Sequence, residues 1–304
     1  MIKRLLIPIV LLSSSLVFSK AIDSNLGTVE IIDSSKLLKV LSEVLVIDAR
    51  QTHFNDGHIP NSQNMDWENW TEEKPSFTNA FLGDSSKWGR TLAENTIQNR
   101  LRQLGLSHSK LIVVVGAGKS SWGEEGRVAW NLLYWGAKHV ALLDGGYPDW
   151  LNKGYPIQKG PAISTKPGDF IFLLKPQRRA SKDDIKENLK LGLRSLFDIR
   201  SLKEFNGQTM PGQRRGGHIP KARLVEFNKL YQDNGRFINA EDLKRLIGTE
   251  VKDNSITYCT GGVRSALFAL LLEAKLGILT ANYDASIWEW SNDDKLPIEK
   301  EKSK

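Results

Sequence analysis

Short runs of branched aliphatic residues recur along this chain, each followed by a longer stretch with helical spacing. In the first half they read VLVID (44–48), LIVVV (111–115) and HVALLD (139–144); in the second, LRSLFDI (193–199), SITY (255–258) and GILTANY (277–283). Their apolar positions are continuous, not alternating, as a strand covered on both faces requires. Between them, GRVAWNLLYWG (126–136) and VRSALFALLLEAKLG (263–277) space apolar residues three and four apart, predicting helices that end near Gly136 and Gly277. Such strands alternating with helices predict an α/β fold of mainly parallel sheets flanked by helices.

The two halves repeat one another. Asp48-Ala-Arg50 is answered by Asp198-Ile-Arg200, Gly57-His-Ile-Pro60 by Gly217-His-Ile-Pro220, and Asp144 with Trp150 by Asp284 with Trp290, at offsets of 150, 160 and 140 residues. Order is kept while the offset drifts, the signature of two copies of one domain with loop insertions. The boundaries this suggests are a first domain over 28–158, a linker over 159–180 that contains KGPAISTKPGDF, and a second domain over 181–300. The seven tryptophans of the first half read mainly as core or domain-interface residues, and His58 and His218, both in Gly-His-Ile-Pro turns, as structural.

The chain opens with Lys3 and Arg4, an apolar run from Leu5 to Leu12, a serine patch and the small residues Ser19 and Ala21. This reads as a secretory signal over residues 1–21, because the apolar stretch is well short of the ~20 residues a membrane span needs. The expectation is an exported protein with no stable membrane anchor, periplasmic in a Gram-negative source and otherwise secreted. The formal charge of +7 comes from 42 bases against 35 acids, and loss of the signal leaves 39 against 35. That dispersed excess argues against nucleic acid, which calls for clustered Lys and Arg with exposed aromatics. There is one cysteine, Cys259, so no internal disulfide forms. No metal-ligand spacing and no nucleotide-binding glycine motif is visible, and no cofactor is expected.

Cys259 stands at the carboxyl end of SITY, before Gly261 and Gly262, which let the backbone curl ahead of a helix starting near Arg264 or Ser265. Amide groups from Thr260 to Ser265 would then point inward around the sulfur and, with the helix start and Arg264, favour thiolate over thiol. In the first half the corresponding residue is Gly116, and Ser120 and Ser121 lack an identifiable base, so that copy reads as catalytically silent.

With these motifs the sequence resembles the rhodanese family, specifically its two-domain sulfurtransferases of the thiosulfate and 3-mercaptopyruvate type, over roughly residues 28 to 300. The resemblance rests on Asp-x-Arg and Gly-His-Ile-Pro in both halves, the loop Cys259-Thr-Gly-Gly-Val-Arg-Ser265, and the final Trp-Glu-Trp. It implies a tandem repeat of two rhodanese-like domains and a Cys259 persulfide that carries sulfane sulfur from a small anionic donor to cyanide or a thiol. It also implies a substrate-binding role for Arg200 and for the loop residues Thr260, Gly261, Gly262, Val263, Arg264 and Ser265; Arg214 and Arg215 are candidate additions to an anion funnel. The loop departs from the family's thiosulfate and mercaptopyruvate forms alike. Export favours thiosulfate as donor, with 3-mercaptopyruvate sulfurtransferase or a noncatalytic sulfane-sulfur carrier as alternatives. A related phosphatase loop needs five residues between Cys and Arg, whereas Cys259 and Arg264 are separated by four.

Overall fold

The computed structural model describes residues 24–76, 85–252 and 254–300; the signal-like segment over 1–21 lies outside them. Five strands, β1 (Thr28–Ile32), β2 (Leu45–Asp48), β3 (Gln63–Asn64), β4 (Ile112–Val115) and β5 (His139–Leu143), form a parallel sheet in the order β1-β5-β4-β2-β3. Around it lie α1 (Ser34–Val40), α2 (Ile97–Gln103), α3 (Glu124–Tyr134) and α4 (Gly146–Asn152). The second half builds a parallel sheet from β6 (Leu196–Asp198), β7 (Arg223–Leu224), β8 (Ser255–Tyr258) and β9 (Thr280–Asn282), ordered β7-β6-β8-β9. Its helices are α5 (Lys182–Leu191), α6 (Leu202–Phe205), α7 (Ala240–Ile247), α8 (Val263–Leu276) and α9 (Ser286–Asn292).

Without β1 the first sheet has the order of the second, so β2, β4 and β5 correspond to β6, β8 and β9. Where β1 runs beside β5, the second sheet has one parallel bridge from Arg179 to Asn282. The aliphatic runs are buried throughout in β2, β4 and β8, which is why their sequences do not alternate. β3 and β7, two residues each, are edge pairings too short to announce themselves in the sequence.

The two domains meet along α3 and α8. An added Cβ on Gly126 would lie 2.4 Å from the Leu267 Cα, so only glycine permits this approach. Both helices are buried nearly all round because each packs on its own sheet and on the other helix. The segment over 159–180 is packed against the domains: Phe170 is buried, and the Arg178 guanidinium pairs with Glu273 on α8 at 2.6 and 2.9 Å while bonding the carbonyls of Leu26 and Gly27. Breaking a buried pair of this kind typically costs ~3–5 kcal/mol, so Arg178 locks the connection to both domains.

Candidate active site

β8 delivers Cys259 to the carboxyl edge of the second sheet, and Gly262, in the left-handed region at φ 75°, turns the chain into α8. An added Cβ at Gly261 would lie 2.0 Å from the Trp288 ring, and one at Gly262 2.3 Å from the Asp284 carbonyl, so both positions require glycine. The loop is held from outside. Ile287 and Trp288 at the start of α9 donate to the carbonyls of Cys259 and Thr260 at 3.2 and 3.0 Å, and the Cys259 amide donates to the Ser286 hydroxyl at 3.1 Å. With these carbonyls turned outward, the amides of Gly261 and Ser265 and the Ser265 hydroxyl bond the sulfur.

The thiol is buried, and burial alone would raise its pKa; the Arg264 charge and the bonds from Ser265 and Gly261 outweigh that, and the thiol lies below its ordinary value. Arg264 is itself paired: its guanidinium bonds both carboxylate oxygens of Glu204 at 2.9 and 2.7 Å and the Thr260 hydroxyl at 2.7 Å. Glu204 also closes the capping box of α6 with Ser201. Burial would raise the Glu204 pKa, but Arg264 and the Ser201 bonds bring it to about 2.

Cys259 opens into a pocket of about 290 Å³, whose walls include Thr260, Gly261, Val263 and Arg264. Gly262 and Ser265 act from behind, Gly262 by turning the chain and Ser265 by bonding sulfur and the Asn282 side chain. Trp67 and Trp122 from the first domain and Trp288 complete much of the wall. Trp67, although buried, and the exposed Trp122 both line this pocket, whereas Trp130, Trp135 and Trp150 do not. A second cleft of about 550 Å³ adjoins it at Trp122, Met210 and Arg264.

Arg200 does not reach this pocket. Its fully buried guanidinium bonds Asp198 through Nε (2.9 and 3.1 Å) and Nη2 (2.6 Å) and the Gly217 carbonyl through Nη2 at 2.8 Å. Arg50 repeats the pattern in the first domain, with Asp48 and the Gly57 carbonyl at the same distances. Asp-x-Arg thus clamps the Gly-His-Ile-Pro turn to the strand end, and the substrate role expected of Arg200 is corrected to this one. His58 and His218 stack on Phe54 and Phe205 within the same turns. Arg215 bonds the carbonyls of Ser291, Leu296, Trp290 and Asp293, and Arg214 pairs with Asp294 on the surface, so neither forms an anion funnel.

The first domain contributes two groups that sequence reasoning missed. In place of a sulfur beside Gly116 stands the Glu125 carboxyl: an added Cβ at Gly116 would meet it at 2.4 Å. Burial first, and Glu124 second, push the Glu125 pKa up to about 7, against hydrogen bonds from the Ser121 and Tyr231 hydroxyls. Two residues on, Arg127 crosses to the catalytic loop, its Nη1 donating to the carbonyls of Gly261 and Gly262 at 3.5 and 3.2 Å and its Nη2 to that of Gly89. Burial draws its pKa down to about 10, still cationic at neutral pH, with Asp284 and Cys259 favouring the charge. The Ser201-x-x-Glu204 capping spacing could have flagged Glu204. Nothing local distinguishes Arg127 from a solvated helix residue.

Among the described residues no group of His, Cys, Asp and Glu is arranged to hold a metal, and no helix is long and apolar enough to cross a membrane. The rhodanese-like domain model matches residues 33–153 and 181–293. The sulfur carrier protein TtuD of Thermus thermophilus is 29% identical over 272 residues, covering 84% of this chain and 90% of TtuD. A Haloferax volcanii protein provisionally named a thiosulfate sulfurtransferase is 28% identical, covering 84% and 87%. Of solved structures, YnjE superposes with a TM-score of 0.77 at 22% identity over 90% of this chain and 69% of its own. SseA of Escherichia coli, a 3-mercaptopyruvate enzyme by its description, superposes with a TM-score of 0.70 at 20% identity over 85% and 99%. With its domain model matched twice, in the two sheets that share one strand order, this chain belongs to the rhodanese family of sulfurtransferases and sulfur carriers.

Proposed function

We propose that this protein is a thiosulfate sulfurtransferase working by covalent catalysis on Cys259. The observation that carries the reading is a buried thiol with a lowered pKa, bonded by loop amides beside Arg264 at the base of a pocket. The Cys259 thiolate attacks the outer sulfur of thiosulfate; the S–S bond breaks, sulfite leaves with the electron pair, and a Cys259 persulfide remains. Cyanide or a thiolate then attacks the outer persulfide sulfur, and Cys259 departs as thiolate. Loop amides and Arg264 stabilise the anionic sulfur at each stage. The names of the curated relatives support this donor.

A second reading, 3-mercaptopyruvate as donor, draws on the Glu68 and Glu124 carboxylates lining the pocket, which oppose a dianion more than a monoanion. Steady-state assays with each donor, and with cyanide or a dithiol as acceptor, separate the two by the ratio of kcat/KM. Cys259→Ser is expected to abolish transfer while leaving the fold intact; retention of a tenth of wild-type turnover overturns the assignment. A persulfide that forms but turns over slowly with every acceptor identifies a sulfur carrier instead. Export is proposed from residues 1–21, and intact mass of protein recovered from the cell envelope tests it: loss of that segment supports export, and retention of Met1 in cytoplasmic protein refutes it.

A further inference from the structure

The charge around Cys259 runs opposite to that of the chain. The protein carries a formal +7. Yet the pocket and its adjoining cleft present four carboxylates, Glu68, Glu124, Glu204 and Glu226, against two cations, Lys119 and Arg264.

Pairing removes most of these from consideration. Arg264 and Glu204 neutralise each other through two hydrogen bonds. Glu226 lies 3.4 Å from Lys229, and Lys119 lies 3.3 Å from Asp233. Glu68 and Glu124 remain; neither is ion-paired among the described residues, and both line the cavity that holds the sulfur. Glu124 accepts a hydrogen bond from the Trp122 amide at 2.7 Å and shares the single Ser121 hydroxyl proton with Glu125, contacts that hold the carboxylate without cancelling its charge.

The other walls are aromatic. Trp67, Trp122 and Trp288 border the same space, and Trp122 is 60% exposed, at the edge where a second molecule would enter. The Trp67 and Trp122 rings already carry the guanidinium groups of Arg127 and Arg264 at 5.6 Å, so the pull on a cation comes from the carboxylates, by the Coulomb force that also repels an anion.

We propose that the sulfur acceptor is a small thiol carrying a positive charge a few bonds from its sulfur, with the thiolate directed to the Cys259 persulfide and the cation held by Glu68 and Glu124. This rests on the persulfide reading above and extends it to the second half of the cycle. The thiolate R–S⁻ attacks the outer sulfur of Cys259–S–S–H, forming R–S–S–H; the Cys259–sulfur bond breaks and its electron pair returns to Cys259 as thiolate. No external oxidant or reductant is consumed.

The test first loads the full protein with sulfur from inorganic polysulfide and verifies by intact mass one added sulfur atom on Cys259. Failure to load overturns the persulfide reading, and the acceptor assignment with it. Loaded protein is then mixed with cysteamine or thiocholine (cationic), 2-mercaptoethanol (neutral) or thioglycolate (anionic). The same thiols reacting with free cysteine persulfide give their intrinsic reactivities. After that correction the cationic thiols should discharge the protein about tenfold faster than the neutral one, and the anionic thiol slower still. The advantage should shrink as salt is raised, because a partly exposed site is screened. Glu68→Gln and Glu124→Gln should each move the cationic-to-neutral ratio toward the solution value. Corrected rates that are equal, or highest for thioglycolate, overturn the proposal in wild-type protein alone. A cationic preference that survives high salt and both substitutions overturns its assignment to these carboxylates.

Discussion

Gly116 and Cys259 occupy the same place in two copies of one sheet, and their surroundings differ. Beside Gly116 the space belongs to the Glu125 carboxyl, held by the Ser121 and Tyr231 hydroxyls. A cysteine introduced at position 116 would meet that carboxyl and lack a cation, so Gly116→Cys alone does not restore a site. The same glutamate gives the fold a pH dependence. Its pKa rises from 4.5 unfolded to about 7 folded, chiefly through burial, so the native state binds the proton more tightly. Its contribution is present below pH 4.5 and is lost as pH rises through 7, and the shift corresponds to ~3 kcal/mol at 1.36 kcal/mol per unit. Urea unfolding across this range should show wild-type stability falling relative to Glu125→Gln, which cannot titrate. Parallel curves for the two proteins would contradict the assignment.

Among the elements, the arginines after β2 and β6 bear on one expectation. The resemblance implies a substrate-binding role for Arg200. In the structure Arg50 and Arg200 each turn back onto the aspartate two residues earlier and onto the carbonyl of the Gly-His-Ile-Pro turn. Arg200→Met should therefore destabilise the second domain by ~3–5 kcal/mol, the typical result of leaving a buried carboxylate unpaired. The KM for donor should stay within about twofold, as for a residue without substrate contact. Thermal unfolding and steady-state kinetics on the same preparation separate these outcomes; a large KM change at unchanged Tm would return Arg200 to the substrate.

At the scale of the whole molecule, the first domain helps to build the loop that holds Cys259. Arg127 grips the Gly261 and Gly262 carbonyls from the far side of the interface, and Gly89 lies where an added Cβ would sit 2.6 Å from the Gly261 oxygen. Drawing these carbonyls outward keeps the loop amides aimed at sulfur. Removing this support should loosen the loop and raise the thiol pKa. Arg264, Glu204, Asp284 and Arg179 beside the loop, and Glu68 and Glu124 in the pocket wall, stay in place. Arg127→Met is expected to lower kcat/KM about tenfold to a hundredfold, less than the ~100- to 1000-fold for a donor on the reacting atom because Arg127 acts through the loop carbonyls, and to move the pH midpoint of Cys259 alkylation upward. Arg127→Lys should recover part of both. A fall in activity with an unmoved midpoint would mean that Arg127 serves only the fold.

The sequence by itself determined the class of fold, the duplication and the place of the lone cysteine at a strand end, because these are written in local terms: aliphatic runs long enough to be buried strands, motifs returning in order, and a cysteine followed by two glycines. It also exposed the absence of a thiol at Gly116. Tertiary structure decided what each charge does. Arg200 and Arg264 are both arginines near the carboxyl ends of strands in one sheet, yet one is consumed by its own Asp-x-Arg clamp and the other borders the sulfur. Glu204 and Arg127 lie 55 and 132 residues from Cys259 in the chain and meet its loop only after the sheet closes and α3 docks on α8. A charge acts through distances of a few ångströms, and those distances are set by the packing of segments remote in sequence, which local pattern does not record.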